Sequence, residues 1–239
     1  MKNLLVHLNP SKCFNKEHEL LAKIQIDNSL QLGWKTEDII FVSNFDYEYN
    51  GVRATIIPDK YYCDFRPFST KTVVVTYLLE YWLLDKDEIY WAHDFDAYQL
   101  EKFDLKLEKP VAFSDYGYSP KPSLGSYFFT SEARDFFIYL RDAIYELNTE
   151  DERALAYLSK GNKMGINDMS QKLNITYNFG MRNVGKNWEI SEKPIKVVHF
   201  HPWGKDLPTL DIFMHGKNEL GFPLMSKDLI KLFHKHGIK

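Results

Sequence analysis

Cysteine is nearly absent: only Cys13 and Cys63 occur in 239 residues, far apart and in no metal-ligand spacing. At most one disulfide is available, and free thiols in a reducing compartment are the expectation. No stretch approaches the roughly 18 uninterrupted apolar residues of a membrane-spanning helix. The N-terminal run Leu4–Leu8 is too short for the core of a signal peptide and reads as a first strand, so a cytoplasmic protein is expected. Positive charge is not in excess either. Thirty Lys and Arg stand against 33 Asp and Glu, a formal charge of −3. Nucleic-acid wrapping is therefore not expected, because phosphate neutralisation needs clustered cations. Repeats, low-complexity tracts and linkers are also missing, and the length suits one core better than two. One domain over 1–239 is expected, with a nucleotide-binding half at about 1–100 and an acceptor half at about 101–239.

Aromatic residues are plentiful: 17 Phe, 15 Tyr and 5 Trp within a 44% hydrophobic chain. Burial can offset chain entropy at that composition, so disorder is not expected. Much of this aromatic share belongs in the core, although Tyr and Trp also suit the flat apolar faces of sugars.

Apolar runs and turn signals give an alternating order. Strands are expected at Leu4–Leu8, Ile39–Val42, Ala54–Ile57, Glu88–His93, Val111–Phe113, Tyr127–Phe129 and Lys196–Phe200. Helices are expected at Lys16–Leu32, stopped by Gly33, and over Ser69–Leu84. Ser131 is placed to cap a helix with an inner face of Phe136, Phe137, Leu140, Ile144 and Leu147. Thr149 and Glu152 form a capping box for the next helix, Asn167 or Asp168 caps a short one to Leu173, and Ser226–His236 closes the chain. Gly117–Gly125 reads as a loop. Strands alternating with helices predict an α/β fold, a mostly parallel central sheet flanked by helices.

Two Asp-x-Asp runs occur close together, Asp85-Lys86-Asp87 and Asp94-Phe95-Asp96. About one such run is expected by chance in a chain of this size, so context decides. The first follows a helix and carries a lysine, which reads as a solvated turn. The second follows Ile89-Tyr90-Trp91-Ala92, apolar enough for a buried strand. Carboxylates two apart at a strand end point the same way, and open α/β sheets bind ligands beyond those ends. Hard oxygen donors select Mg²⁺ or Mn²⁺, which can neutralise a leaving diphosphate. Further on, His199-Phe200-His201-Pro202-Trp203 puts His199 and His201 on one strand face, either able to complete a metal site. Lys205 follows shortly and suits phosphate oxygens.

With these stations in view, the chain resembles the GT-A glycosyltransferases, and within them the glycogenin-like and galactosyltransferase-like group. The resemblance rests on Asp94-Phe95-Asp96 and on the segment from His199 to Lys205, in that order, and spans roughly Leu4 to Lys205. It implies that Asp94, Asp96 and His199 ligate a divalent metal, that Asp94 and Lys205 contact the diphosphate, and that Asn9 lies by the base and ribose. The late segment departs from the family pattern, with Pro202-Trp203 before Lys205. Ser123-Leu124-Gly125 keeps the family's glycine without its asparagine. The family's Asp-Gln-x-x-Leu-Asn helix start has two partial matches, one at Asp151-Glu152 and one at Asp168-Met169.

The activity expected is transfer of a sugar from a UDP- or GDP-sugar to a glycan or other hydroxyl acceptor, with Mn²⁺ or Mg²⁺ as cofactor. A carboxylate near the anomeric carbon is needed, and Asp168, Asp115 and Asp151 are the candidates. Arg66 and Lys71, preceding the metal strand, are candidates for phosphate or ribose, and Tyr116, Tyr118 and Trp203 for stacking on sugars. A sugar-phosphate nucleotidyltransferase is one rival, but Asn9-Pro10-Ser11-Lys12 lacks the glycine-rich loop such enzymes carry. A metal-dependent hydrolase and a non-catalytic carbohydrate-binding protein are the others.

Overall fold

Strand β1 (Lys2–His7) holds Leu4 and Leu5 with no solvent exposure, the mark of a strand covered on both faces. The computed structural model describes residues 1–81, 83–117, 119–180, 184–200 and 225–238. β1 pairs in parallel with β2 (Ile39–Ser43) on one side and β5 (Tyr90–His93) on the other. Beyond β2 lie β4 (Val52–Ile56), parallel, and the short antiparallel edge β3 (Glu48–Tyr49). Helix α1 (Lys16–Gln31) makes the crossover from β1 to β2, its first turn capped by Asn15, whose side chain accepts the His18 N–H at 2.7 Å. Helix α2 (Thr70–Glu80) precedes β5, so the expected span of Ser69–Leu84 is trimmed at both ends.

The far side of β5 is not parallel. It meets β8 (Pro122–Phe129) antiparallel; β8 pairs antiparallel with β7 (Val111–Asp115), and β7 pairs in parallel with β9 (Ser170–Lys172). The eight-stranded order is β3-β4-β2-β1-β5-β8-β7-β9, mostly parallel and flanked by helices. A second, three-stranded sheet joins β10 (Phe179–Gly180), β11 (Val197–His199) and β6 (Ala97–Gln99). Its register sets His199 opposite Ala97, next to the second Asp-x-Asp run.

Several local expectations are corrected by long-range pairing. Pro122–Gly125, read as loop, is the first half of β8, and all eight of that strand's residues are buried. Asn167–Leu173, read as a short helix, is a turn followed by β9, because Ser170–Lys172 finds a partner in Val111–Phe113. The capping box is not formed. Helix α4 (Asp151–Ser159) begins after Glu150, and the Glu152 carboxylate turns to the Leu124 N–H instead. Ser131 lies in a short 3-10 turn (Ser131–Ala133) before α3 (Arg134–Leu147) and donates to Lys86 O. On α3, Phe136, Phe137, Leu140 and Ile144 are fully buried, while Leu147 ends exposed in the last turn.

Each large apolar side chain so buried contributes about 1.5–3 kcal/mol over its exposed state. α5 (Val184–Ile190) and α6 (Lys227–Lys235) complete the described helices. α6 lays Leu229, Leu232 and Phe233 against Leu21 and Ile24 of α1. Asp27 of α1, 5% exposed, accepts from Asn50 Nδ2 (2.6 Å), Lys235 Nζ (2.7 Å) and His236 Nε2 (2.9 Å), tying that end down. Both cysteines are free, Cys13 exposed and Cys63 buried. No helix among the described residues is long and apolar enough to cross a membrane.

Candidate active site

The second Asp-x-Asp run fills the short connection from β5 into β6 and forms part of the floor of a cleft of about 1030 Å³. Its backbone is fixed on every side. Asp94 N–H donates to Gly125 O at 2.9 Å, and the Phe200 N–H donates to Asp96 O at 2.9 Å. Asp94 O faces His93 Nδ1 at 2.8 Å, and His93 Nε2 lies 2.8 Å from Asn3 Oδ1. Burial holds the His93 imidazole down at about 3.

His199 arrives from β11. Its Nε2 lies 3.2 Å from Asp96 Oδ1 and 3.7 Å from Asp94 Oδ2. One donor atom from each of the three residues can be chosen so that all lie within 4.8 Å of one another. Neighbouring ligands around a cation with bonds near 2.1 Å stand about 3 Å apart, so this set of two carboxylates and an imidazole fits a small divalent ion. The other ring nitrogen, Nδ1, is held by Asn178 Oδ1 at 3.0 Å, and Asn178 Nδ2 in turn donates to Ser123 Oγ at 2.9 Å. Such an outer partner fixes which nitrogen faces the metal position. Gly125 completes the cradle, because a Cβ there would overlap the His199 ring.

The site carries cations beside its carboxylates. Lys71 of α2, 8% exposed, donates to Asp94 Oδ1 at 2.5 Å and to Leu124 O at 2.7 Å. Burial works against a charged His199, yet Asp96 and Asp94 outweigh it and raise its pKa to about 9. Asp151 opens α4 with its side chain buried. Desolvation raises its pKa to about 6, against the opposing hydrogen bond from Thr72 Oγ1 at 2.7 Å.

The cleft gathers Asn9, Lys71, Asp94, Asp96, Tyr116, Asp151 and His199 from among the residues singled out in the sequence. Asn9 sits in a local turn, its Oδ1 accepting from the Ser11 N–H and hydroxyl at 3.0 and 2.8 Å. Three candidates are not among the lining residues. Asp168 is exposed and accepts from Asn162 Nδ2 at 2.9 Å. Asp115 is ion-paired to Lys172 and accepts the Gly117 N–H at 2.8 Å. Arg66 donates to Phe65 O and Asn148 O at 2.9 and 2.7 Å. Of the two partial matches to the helix-start motif, Asp151-Glu152 is the one in the cleft. Tyr118, His201, Trp203 and Lys205 lie outside the described residues.

Glu152 carries no sign of this role in the sequence, where its spacing from Thr149 is that of a cap; its carboxylate accepts from Tyr116 Oη at 2.5 Å and the Leu124 N–H at 2.8 Å. His7, also unremarked, stacks on Phe14 at 4.4 Å beside the cleft, and burial lowers its pKa to about 3. Asn178 carried no local signal at all. Phe68, on the rim, is 85% exposed.

The strand order, the loop carrying two carboxylates off β5 and the returning histidine strand together define the GT-A fold, the architecture of one large class of glycosyltransferases. No protein-family model matches the sequence, and no curated protein matches it. Solved structures do match. The galactosyltransferase LgtC, solved with donor and acceptor sugar analogues, is 10% identical with a TM-score of 0.58, over 99% of this chain and 95% of that one. The glycosyltransferase GlyE of Streptococcus pneumoniae is 10% identical at 0.54, over 100% and 65%. A glycosyltransferase involved in glycosylation of the major capsid of PBCV-1 is 13% identical at 0.53, over 90% and 100%. At such identities the likeness is one of fold.

Proposed function

We propose that this chain is a metal-dependent glycosyltransferase, moving a sugar from a UDP- or GDP-sugar to a hydroxyl on a glycan or other acceptor. The observation that carries the reading is the set Asp94, Asp96 and His199, two oxygens and a nitrogen converging in the cleft of a GT-A fold. These three residues would hold Mn²⁺ or Mg²⁺. A bound divalent ion supplies charge stabilisation to the departing diphosphate.

The chain's own residues do the rest. Lys71 orients Asp94 by holding one carboxylate oxygen, leaving Oδ2 on the His199 side. Asn9, at the β1 end of the cleft, borders the base and ribose of the donor, and the first hundred residues supply most of that side. The later half supplies His199 and the carboxylates of α4, where the donor sugar and acceptor would meet. Asp151 is the carboxylate we put forward for proton exchange with a hydroxyl, since a pKa near 6 lies close to neutral pH. LgtC, which shares the fold, was solved with both donor and acceptor sugar analogues, and this supports a cleft that takes both.

The test is product analysis by chromatography with UDP- and GDP-sugars, Mn²⁺ and no acceptor. Slow release of nucleoside diphosphate and free sugar is expected, with water in place of the acceptor, and Asp96→Ala should abolish it. Nucleoside triphosphate formed on adding pyrophosphate would instead identify a nucleotidyltransferase. No product, together with no rise in melting temperature with any donor and Mn²⁺, would reject the reading.

A further inference from the structure

We propose that Gln25, on α1 and away from the cleft lining, is a positioning residue for the metal ligands. The inference rests on the reading of Asp94, Asp96 and His199 as a metal site. Gln25 has no solvent exposure. Its Nε2 donates to Phe95 O at 2.8 Å and to Ala97 O at 2.7 Å, so one amide group bridges the carbonyls on either side of Asp96. His93 meets Asp94 O and the Phe200 N–H meets Asp96 O. Four consecutive carbonyls, those of residues 94 to 97, are thus each engaged, two of them by Gln25. Side-chain direction at Asp94 and Asp96 follows from the backbone dihedrals between them. A clamp on the peptides that follow Phe95 and Ala97, one before and one after Asp96, therefore aims the carboxylates.

Two observations separate this role from ordinary packing. The Gln25 Oε1 is buried and accepts no hydrogen bond among the described residues. The amide is thus kept for its two donors although the same group carries an orphan acceptor at a cost to stability. Asn28, one turn along α1 and 4% exposed, supplies an internal control. Its Nδ2 donates to Gln99 O at 2.9 Å, the same kind of buried bond to the same segment, but beyond the metal ligands.

The experiment titrates Mn²⁺ alone into the full chain, reading free Mn²⁺ by electron paramagnetic resonance, with melting temperature recorded for each variant. Gln25→Met keeps the length and helix preference of the side chain and removes its donors. Mn²⁺ affinity should fall about tenfold or more, as for loss of an outer partner of a metal ligand. Asn28→Leu should leave Mn²⁺ affinity unchanged for a comparable loss of melting temperature. Equal weakening in both variants, or unchanged affinity in Gln25→Met, overturns the proposal.

Should Gln25→Met not fold, the wild type decides by nuclear magnetic resonance. During a Mg²⁺ titration the Gln25 side-chain amide protons should shift while those of Asn28 stay in place, and a still Gln25 signal overturns the inference. Failure of the underlying reading looks different. A wild type with no saturable Mn²⁺ binding removes both, whereas Mn²⁺ binding that Asp96→Ala destroys and Gln25→Met does not removes only Gln25.

Discussion

Asp85-Lys86-Asp87 and Asp94-Phe95-Asp96 have the same spacing and lie nine residues apart, yet only one is built into anything. Asp85 and Asp87 are exposed on the turn between α2 and β5, and the Asp85 N–H donates to Tyr90 Oη at 2.6 Å. Asp94 and Asp96 begin where a fully buried strand ends, and their backbone is held by Gly125, His93, Gln25 and Phe200. The Phe95 ring packs between α1 and the aromatic cluster of His7, Phe14 and Phe41. What separates a site from a turn here is the third donor, His199, which is remote in sequence and brought close by the β6–β11 pairing.

The sharpest way to break this contrast is to remove one carboxylate from each pair. Asp96→Ala should lower Mn²⁺-dependent nucleotide affinity by at least about 100-fold, more than loss of an outer-shell partner costs, as read by calorimetry. Asp85→Ala should match the wild type, and equal losses would dissolve the distinction.

Next in size is the imidazole. With its pKa near 9 in the metal-free protein, His199 is protonated at neutral pH, and a cation must displace that proton. Apparent Mn²⁺ affinity should rise about tenfold per pH unit up to about 9 and then level off. His199→Ala should bind weakly at every pH. The linkage sign for the metal-free fold is opposite. A pKa raised from 6.5 to about 9 gives stability fully present below 6.5 and lost as pH rises through about 9. Melting scans in chelator across that window check it.

Gly125→Ala should then cost about tenfold in Mn²⁺ affinity by displacing the His199 ring, comparable to disturbing an outer shell. Calorimetry against the unchanged Asp85→Ala reads it. The smallest effect is on stability. Asp151 also has a raised pKa, so its favourable contribution is complete below 3.8 and is lost as pH rises through about 6. Asp151→Asn should raise stability near pH 7.5 by on the order of 1–3 kcal/mol. The gain should vanish below pH 4, while donor hydrolysis falls. A difference between variant and wild type that is the same at pH 7.5 and at pH 4 would contradict this.

Much of the first half was legible because its signals are local. β1, α1, β2 and β5 read correctly from apolar runs and a stop glycine, and their order placed Asp94 and Asp96 at a strand end. The second half was legible where amphipathic periodicity rules, as in α3 and α6. It failed where distant partners decide. Ser123 and Gly125 look like loop residues, but they lie in the first half of the strand that pairs with β5 and β7, and the missing side chain of Gly125 leaves room for His199. Glu152 matched a cap and serves the cleft instead. Lys71 is a candidate for phosphate or ribose by sequence, and nothing in its neighbourhood of the sequence announces Asp94 as its partner.

The pairing of Lys71 with Asp94 also bears on how the protein would behave without the proposed ion. Among the described residues Asp94 and Asp96 face the cations Lys71 and protonated His199, so the ligand set rests as an internal salt and not as a repelling pair. Folding then does not wait on metal loading, unlike a structural zinc site whose ligands cohere only around the metal. On the proposed reading, stripping the ion silences the molecule reversibly and leaves the apoprotein folded.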